Sequence, residues 1–303
     1  MKKLLRVWYL PVLLVLTFVQ SGFAQSGNAE AILRTLNDPK DKNVVVAAHR
    51  GDWLNYPENS LPGIESAIKM GADIVEIDLA MTSDSVLVLM HDRSVNRTTN
   101  GQGAVITYTL DSLQKLKLKD HNGMLTEYTV PTFEEVMLLC KDKAIVNVDK
   151  GFQYYDKVHD ILKKTGTTRQ ALIKSGHSAD KIKSILSQYP GEQMMYMPII
   201  DFRFDKAGDI LDGYLKNTPV IAYEVVFKEY TPEMKEVFKK IQKSGARIWV
   251  NTMWNSLCGM NDDMALEDPD AVYGKFLKEG ATIFQTDRPE LMVDYLREKG
   301  LHR

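Results

Sequence analysis

Short apolar runs alternate with amphipathic stretches along nearly the whole chain. Val44–Ala48 is continuously apolar, the pattern of a parallel strand buried on both faces. Residues 59–70 then read as a helix. Asn59 or Ser60 caps it, Pro62 sits early where its missing N–H does no harm, and Ile64, Ala67 and Ile68 share one face. Gly71 closes the helix, and the strand run Asp73–Leu79 follows at once. Only six residues, Ala80 to Ser85, separate that run from the next, Val86–Met90. A parallel crossover needs a dozen or more residues, so the pair is predicted to be an antiparallel hairpin that brings His91 back to the level of Glu76.

Beyond the hairpin, residues 92–131 carry turn residues (Asn100-Gly101, Asn122-Gly123) and a weak helical pattern at Leu110–Leu118. This reads as an insertion over one end of the fold. Regular alternation then resumes. Helices are expected at Phe133–Cys140, Tyr155–Lys164, Ala179–Gln188, Lys206–Leu215, Pro232–Ser244, Asp270–Glu279 and Pro289–Glu298. Strands are expected between them at Ala144–Asp149, Ala171–Ser175, Gln193–Pro198, Val220–Val226, Arg247–Asn251 and Thr282–Thr286. About eight strand–helix repeats plus one hairpin suit a (β/α)8 barrel better than an open sheet. No GxGxxG follows the first strand, which disfavours a dinucleotide fold.

The N-terminus departs from this pattern. Lys2, Lys3 and Arg6 precede an almost wholly apolar Val7–Val19, and Gly22-Phe23-Ala24 supplies small residues before Gln25. That is the three-part pattern of a secretory signal peptide, with cleavage expected after Ala24. A membrane anchor is the competing reading, but the stretch falls short of the roughly 20 residues that span a bilayer, and Pro11 interrupts it. The expected organisation is a signal peptide at 1–24, a polar lead-in at 25–43 with a short amphipathic helix around Ala29–Leu36, and one barrel domain at 44–303. Export to a periplasm follows, with no stable membrane anchor after cleavage.

The 303 residues carry a net charge of -2, and the basic residues are scattered, so nothing favours nucleic acid as a partner. Cys140 and Cys258 have no CxxC spacing for zinc, and Cys140 lies in an apolar helical pattern that suits a buried free thiol.

Titratable residues cluster where the apolar strand runs end. In a (β/α)8 barrel those ends form the active face. Glu76 and Asp78 are two apart on a strand and point to one side. Two carboxylates turned into a barrel mouth repel unless a cation lies between them, which suggests Ca²⁺ or Mg²⁺, with Asp149 as a third oxygen ligand. The competing reading is salt bridging to Arg50, Lys150 or Lys174. His49 and His91 also end strands and suit acid–base chemistry near neutral pH, with zinc ligation as the alternative. Arg50 offers a planar fork that matches a phosphate. A cation, a guanidinium and two histidines equip a site for phosphoryl transfer.

The ordered motifs His49-Arg50-Gly51, Pro57-Glu58-Asn59-Ser60, Glu76-Ile77-Asp78, His91-Asp92 and Arg97-Thr98-Thr99 resemble those of the glycerophosphodiester phosphodiesterase family. The resemblance is strong over residues 44–150, and the late Thr286-Asp287-Arg288-Pro289 is similar to the family's closing motif. It implies a distorted TIM (β/α)8 barrel with a small insertion after the third strand. It also implies metal-dependent hydrolysis of a small-molecule phosphodiester, in which a substrate hydroxyl attacks phosphorus and water opens the cyclic phosphate. Carried over, His49 and His91 are the acid–base pair, Glu76 and Asp78 bind metal, and Arg50 contacts phosphate. Glu58 is left between the metal site, a polar network and a helix cap. The expected reaction yields glycerol 3-phosphate and an alcohol. A lysophospholipid or glycerophosphoinositol substrate, or a non-catalytic phosphate-binding barrel, are the alternatives.

Three places leave the family pattern. Its fourth strand run ends in Glu-x-Lys, whereas this chain has Asp149-Lys150-Gly151. Lys150 is, with Arg50, the expected phosphate contact, but on a regular strand it would point away from the site unless Gly151 bends the chain. Ile248–Thr252 replaces a WTVN-like strand, with Trp249 and Asn251 as pocket candidates and plain core as the other reading for Trp249. Met253–Pro269 is an acidic insertion, read by default as a solvated loop.

Overall fold

The computed structural model describes residues 29–189 and 194–303; the stretch read as a signal peptide lies outside them. Among the described residues nine strands form: β1 Val45–Ala48, β2 Ile74–Met81, β3 Leu87–Leu89, β4 Ile145–Asp149, β5 Ala171–Ser175, β6 Met195–Asp201, β7 Ala222–Val226, β8 Arg247–Asn251 and β9 Ile283–Thr286. Eight of them pair in parallel around a closed ring, β1-β2-β4-β5-β6-β7-β8-β9, and β9 returns to β1. Helices cover the outside, so the fold is the expected (β/α)8 barrel. Closure leaves no sheet edge among these eight strands.

The ninth strand is the exception that the short connection predicts. β3 runs antiparallel to β2, with Leu79 opposite Leu89 and Met81 opposite Leu87. Met90 N–H still donates to the Asp78 carbonyl, which carries His91 to the rim beside β2. Local signals set the helix that follows β1. The Ser60 side chain accepts from Gly63 N–H, and Gly71 takes the left-handed conformation at φ 107°.

The inner faces of the strands pack in a second core: Val45, Ile74, Ile145, Leu172, Met197 and Trp249 meet Ile32, Leu33 and Leu36 of the helix Ala29–Asn37. The lead-in helix is therefore the floor of the barrel. Arg247 locks the floor. Its buried guanidinium donates to the carbonyls of Thr35, Asp38, Asp41 and Asn43.

Two predicted helices are shorter or altered. Leu110–Leu118 forms only one turn, Leu110–Leu113, because Leu118 is drawn into backbone bonds with Tyr128 and Thr126. Asp270–Glu279 opens as a wide turn over Asp270–Gly274 before a short α-helix, Lys275–Lys278. Cys140 and Cys258 are both free and buried, as the pattern around Cys140 suggests. No helix among the described residues is long and apolar enough to cross a membrane.

Candidate active site

The carboxylates meet because of strand register. Glu76 and Asp78 alternate along β2, and the parallel pairing with β4 sets Asp78 opposite Asp149. Each of the three offers an oxygen within 4.8 Å of the others. Glu76 and Asp78 are 3% and 2% exposed. Burial, and next the Asp78 carboxylate, push Glu76 well above the usual carboxylate range, with Lys174 opposing. Asp78 is lowered to about 2: burial opposes this, but the Lys150 and Arg50 cations outweigh it. A hard, all-oxygen set with one member driven toward protonation by burial and by its neighbour fits a divalent cation.

Asn59 holds Asp78 in place by donating to its Oδ2 (3.0 Å) and accepting from its N–H (3.0 Å). Arg50 reaches the same group, with Nε 3.3 Å from Oδ2, and its Nη1 donates to Glu58 Oε1 (3.1 Å). Glu58 also accepts two bonds from Arg97 (2.5 and 3.0 Å). Of the three readings for Glu58, the polar network is the one observed; it ties the two arginines together.

Lys150 takes a left-handed conformation, φ 60°, ψ 0°. The bend falls on the lysine itself rather than on Gly151. It turns the side chain back into the site, where Nζ lies 3.0 Å from Asp78 Oδ1 and donates to the His91 carbonyl at 2.6 Å. Arg50 (φ 55°) and Asn59 (φ 56°) are left-handed as well. Non-glycine residues in this region cost on the order of 1–3 kcal/mol each, and strain of this kind gathers at functional sites.

Each histidine is oriented by a carboxylate on Nδ1. His49 Nδ1 lies 2.7 Å from Asp287 Oδ1, and His91 Nδ1 lies 2.7 Å from Asp92 Oδ1. Such pairing fixes the tautomer and leaves Nε2 for proton transfer. Asp287 also accepts from Trp53 Nε1 (2.7 Å), and the Trp254 ring stands edge-on to His49 with centroids 5.3 Å apart. Arg97 donates twice to Asp92, holding that carboxylate well below its usual range. Beside His91 opens a cavity of about 590 Å³, lined in part by Asp92, Arg93, Lys150, Gln153 and Tyr154.

The strand-pattern reasoning missed Asp92 and Asp287 as partners, although both stand in the quoted motifs. Lys174, named there as a salt-bridge partner of the carboxylates, does pair with one of them. That lysine is buried, 3.6 Å from Asp149 and 3.4 Å from Glu224. The two pocket candidates on β8 move inward. Trp249 is fully buried in the floor core and donates to Asn251 Oδ1 (2.7 Å), while Asn251 donates to Glu224 (2.8 Å). Trp249 thus packs as core, and Asn251 links it to Glu224, the partner of the buried Lys174.

The fold and this site define a barrel with an acidic triad that could hold a metal ion, flanked by two aspartate-oriented histidines. A family described as a domain of unknown function matches residues 196–296. A glycerophosphodiester phosphodiesterase of Caldanaerobacter subterraneus is 39% identical over 124 residues, covering 40% of this chain and 51% of the relative. Mouse glycerophosphodiester phosphodiesterase 1 is 40% identical over 105 residues, covering 34% of this chain and 31% of the relative. A crystal structure of a glycerophosphoryl diester phosphodiesterase from Parabacteroides distasonis superposes with a TM-score of 0.75 and 25% identity, covering 91% of this chain and 93% of that one. The chain thus spans about half or less of the length of these two curated relatives, and nearly all of the solved structure. In both sequence and fold it is similar to glycerophosphodiester phosphodiesterases.

Proposed function

We propose that this protein hydrolyses glycerophosphodiesters to glycerol 3-phosphate and an alcohol, with His49 and His91 as the acid–base pair. The observation that carries the reading is the pairing of two histidines, each with Nδ1 on a carboxylate, around one acidic triad. One imidazole takes the proton of the attacking substrate hydroxyl as oxygen bonds to phosphorus. The other protonates the departing alkoxide as its bond to phosphorus breaks. Water then opens the cyclic phosphate with the two roles exchanged. Arg50 and Lys150 supply positive charge for the phosphate oxygens. Glu76, Asp78 and Asp149 would hold Ca²⁺ or Mg²⁺, which when bound neutralises charge developing on phosphorus.

Two features support a substrate larger than glycerophosphate alone: the cavity beside His91, and Trp254, 47% exposed next to His49. The N-terminal pattern supports export to the periplasm, which sequencing of the mature N-terminus checks. Activity is tested on a panel of glycerophosphodiesters and lysophospholipids with Ca²⁺ or Mg²⁺. Hydrolysis is expected to stop with a chelator and return when one of these ions is restored. Turnover unchanged by chelation would defeat the metal assignment, and no turnover on any diester would defeat the function.

A further inference from the structure

The acidic segment after β8 does not behave as a solvated loop at its centre. It folds as two short helical turns, Asn255–Cys258 and Asp262–Glu267, and Asp262 is 2% exposed. Its neighbour Asp263 faces outward and pairs with Arg288. An aspartate in the first turn of a helix ordinarily serves that helix. Here the need is already met, since Asn261 caps the turn by accepting from Met264 N–H (2.9 Å). The Asp262 carboxylate turns inward instead. Oδ1 accepts from the Thr252 hydroxyl (2.6 Å) and the Tyr273 hydroxyl (3.0 Å), and Oδ2 accepts from the Asp287 backbone N–H (2.7 Å).

Asp287 is the residue whose side chain orients His49. We infer that Asp262 is a positioning residue for the acid–base reaction: it fixes the Asp287 backbone, and through it the imidazole of His49. The inference rests on the assignment of His49 proposed above. Three donors from three separate places, the end of β8, the wide turn at Asp270–Gly274 and the residue after β9, converge on one carboxylate. The Thr252 and Tyr273 bonds hold the carboxylate, so its remaining oxygen has a set direction. A buried, satisfied network of this kind has few alternative arrangements. The segment that leaves the family pattern thereby braces the histidine dyad from behind.

The test compares Asp262→Ala and Asp262→Asn with Asp287→Asn, using Asp263→Asn as a control. Asp262→Ala is expected to lower kcat roughly 10- to 100-fold, in the range for removing a group that orients a reacting one. KM should stay within about twofold, since substrate contacts are untouched. The pH limb of kcat that belongs to His49 should move, and the double variant with Asp287→Asn should lose little more than Asp287→Asn alone. Asp263→Asn should match wild type. Asp262→Asn keeps the volume and an acceptor for the two hydroxyls, so it reports on the Asp287 contact even where the alanine variant folds poorly. A folded variant with unchanged kcat and pH limb, or full additivity in the double variant, overturns the inference. NMR titration of the His49 ring in wild type and Asp262→Asn gives a reading independent of turnover. If no diester is hydrolysed but the ring's titration shifts, the coupling stands and the proposed activity fails.

Discussion

His49 and His91 share one arrangement, an imidazole on a carboxylate, in opposite surroundings. The His49 side chain is 6% exposed and that of His91 39%. The partner of His49 arrives 238 positions later, from beyond β9, and is held by Trp53 and by the buried Asp262. The partner of His91 is the next residue, held by the half-exposed Arg97, which in turn reaches Glu58. One dyad is set in the barrel wall. The other sits on the hairpin rim against an open cavity. The two rings therefore differ in how readily solvent reaches them.

The sharpest test of that contrast removes the rings. His49→Ala and His91→Ala are each expected to lower kcat by about 10²–10⁴, the usual range for a general acid or base. Added imidazole should restore part of the activity of His91→Ala, because the vacated place is open to solvent, and little of that of His49→Ala. Equal rescue of both would erase the distinction between wall and rim.

A smaller loss should follow from the partners. Asp287→Asn turns an acceptor into a donor beside a buried ring, which then favours the wrong tautomer, and kcat should fall by about 10²–10³. Asp92→Asn should cost roughly tenfold, since His91 can reorient and water can take the place of the carboxylate. Steady-state kinetics of the two variants decide it; a greater loss in Asp92→Asn would invert the comparison.

The same contrast separates what the sequence shows from what only the fold reveals. His49, Glu76, Asp78 and His91 are legible because each stands at a fixed place on a short apolar run, and a period of two tells which side it faces. The hairpin is legible because six residues cannot make a crossover. Lys150 is not, since a left-handed non-glycine residue leaves no mark in the pattern. Asp287 sits in a motif, but its partner lies 238 positions away and closure of the barrel alone brings them together. Asp262 looks like one more acid in an acidic loop; only the Asn261 cap beside it shows that its carboxylate is free to serve elsewhere. The helix Ala29–Asn37 is legible as amphipathic, but not as the barrel floor, because its apolar face has no partner until eight strands surround it.

The supports of the two dyads should also differ in how they link stability to pH. Asp262 is raised to about 6 by burial, so its favourable contribution is fully present below the unfolded value of 3.8 and is lost as pH rises through about 6. Relative to Asp262→Asn, the wild type should therefore lose stability across that window, by an amount on the order of 3 kcal/mol. Asp92 runs the other way. Its hydrogen bonds from Arg97 lower it despite some desolvation, so its contribution is present above 3.8 and disappears as pH falls below that. Arg97→Gln should narrow the stability gap to wild type on acidification, and because this carboxylate and its arginine meet solvent, the gap at pH 7 should be below about 1 kcal/mol. Urea unfolding of chelated protein from pH 3 to pH 8 measures both. Slopes of the same sign for the two supports would mean that the wall and the rim are not electrostatically distinct.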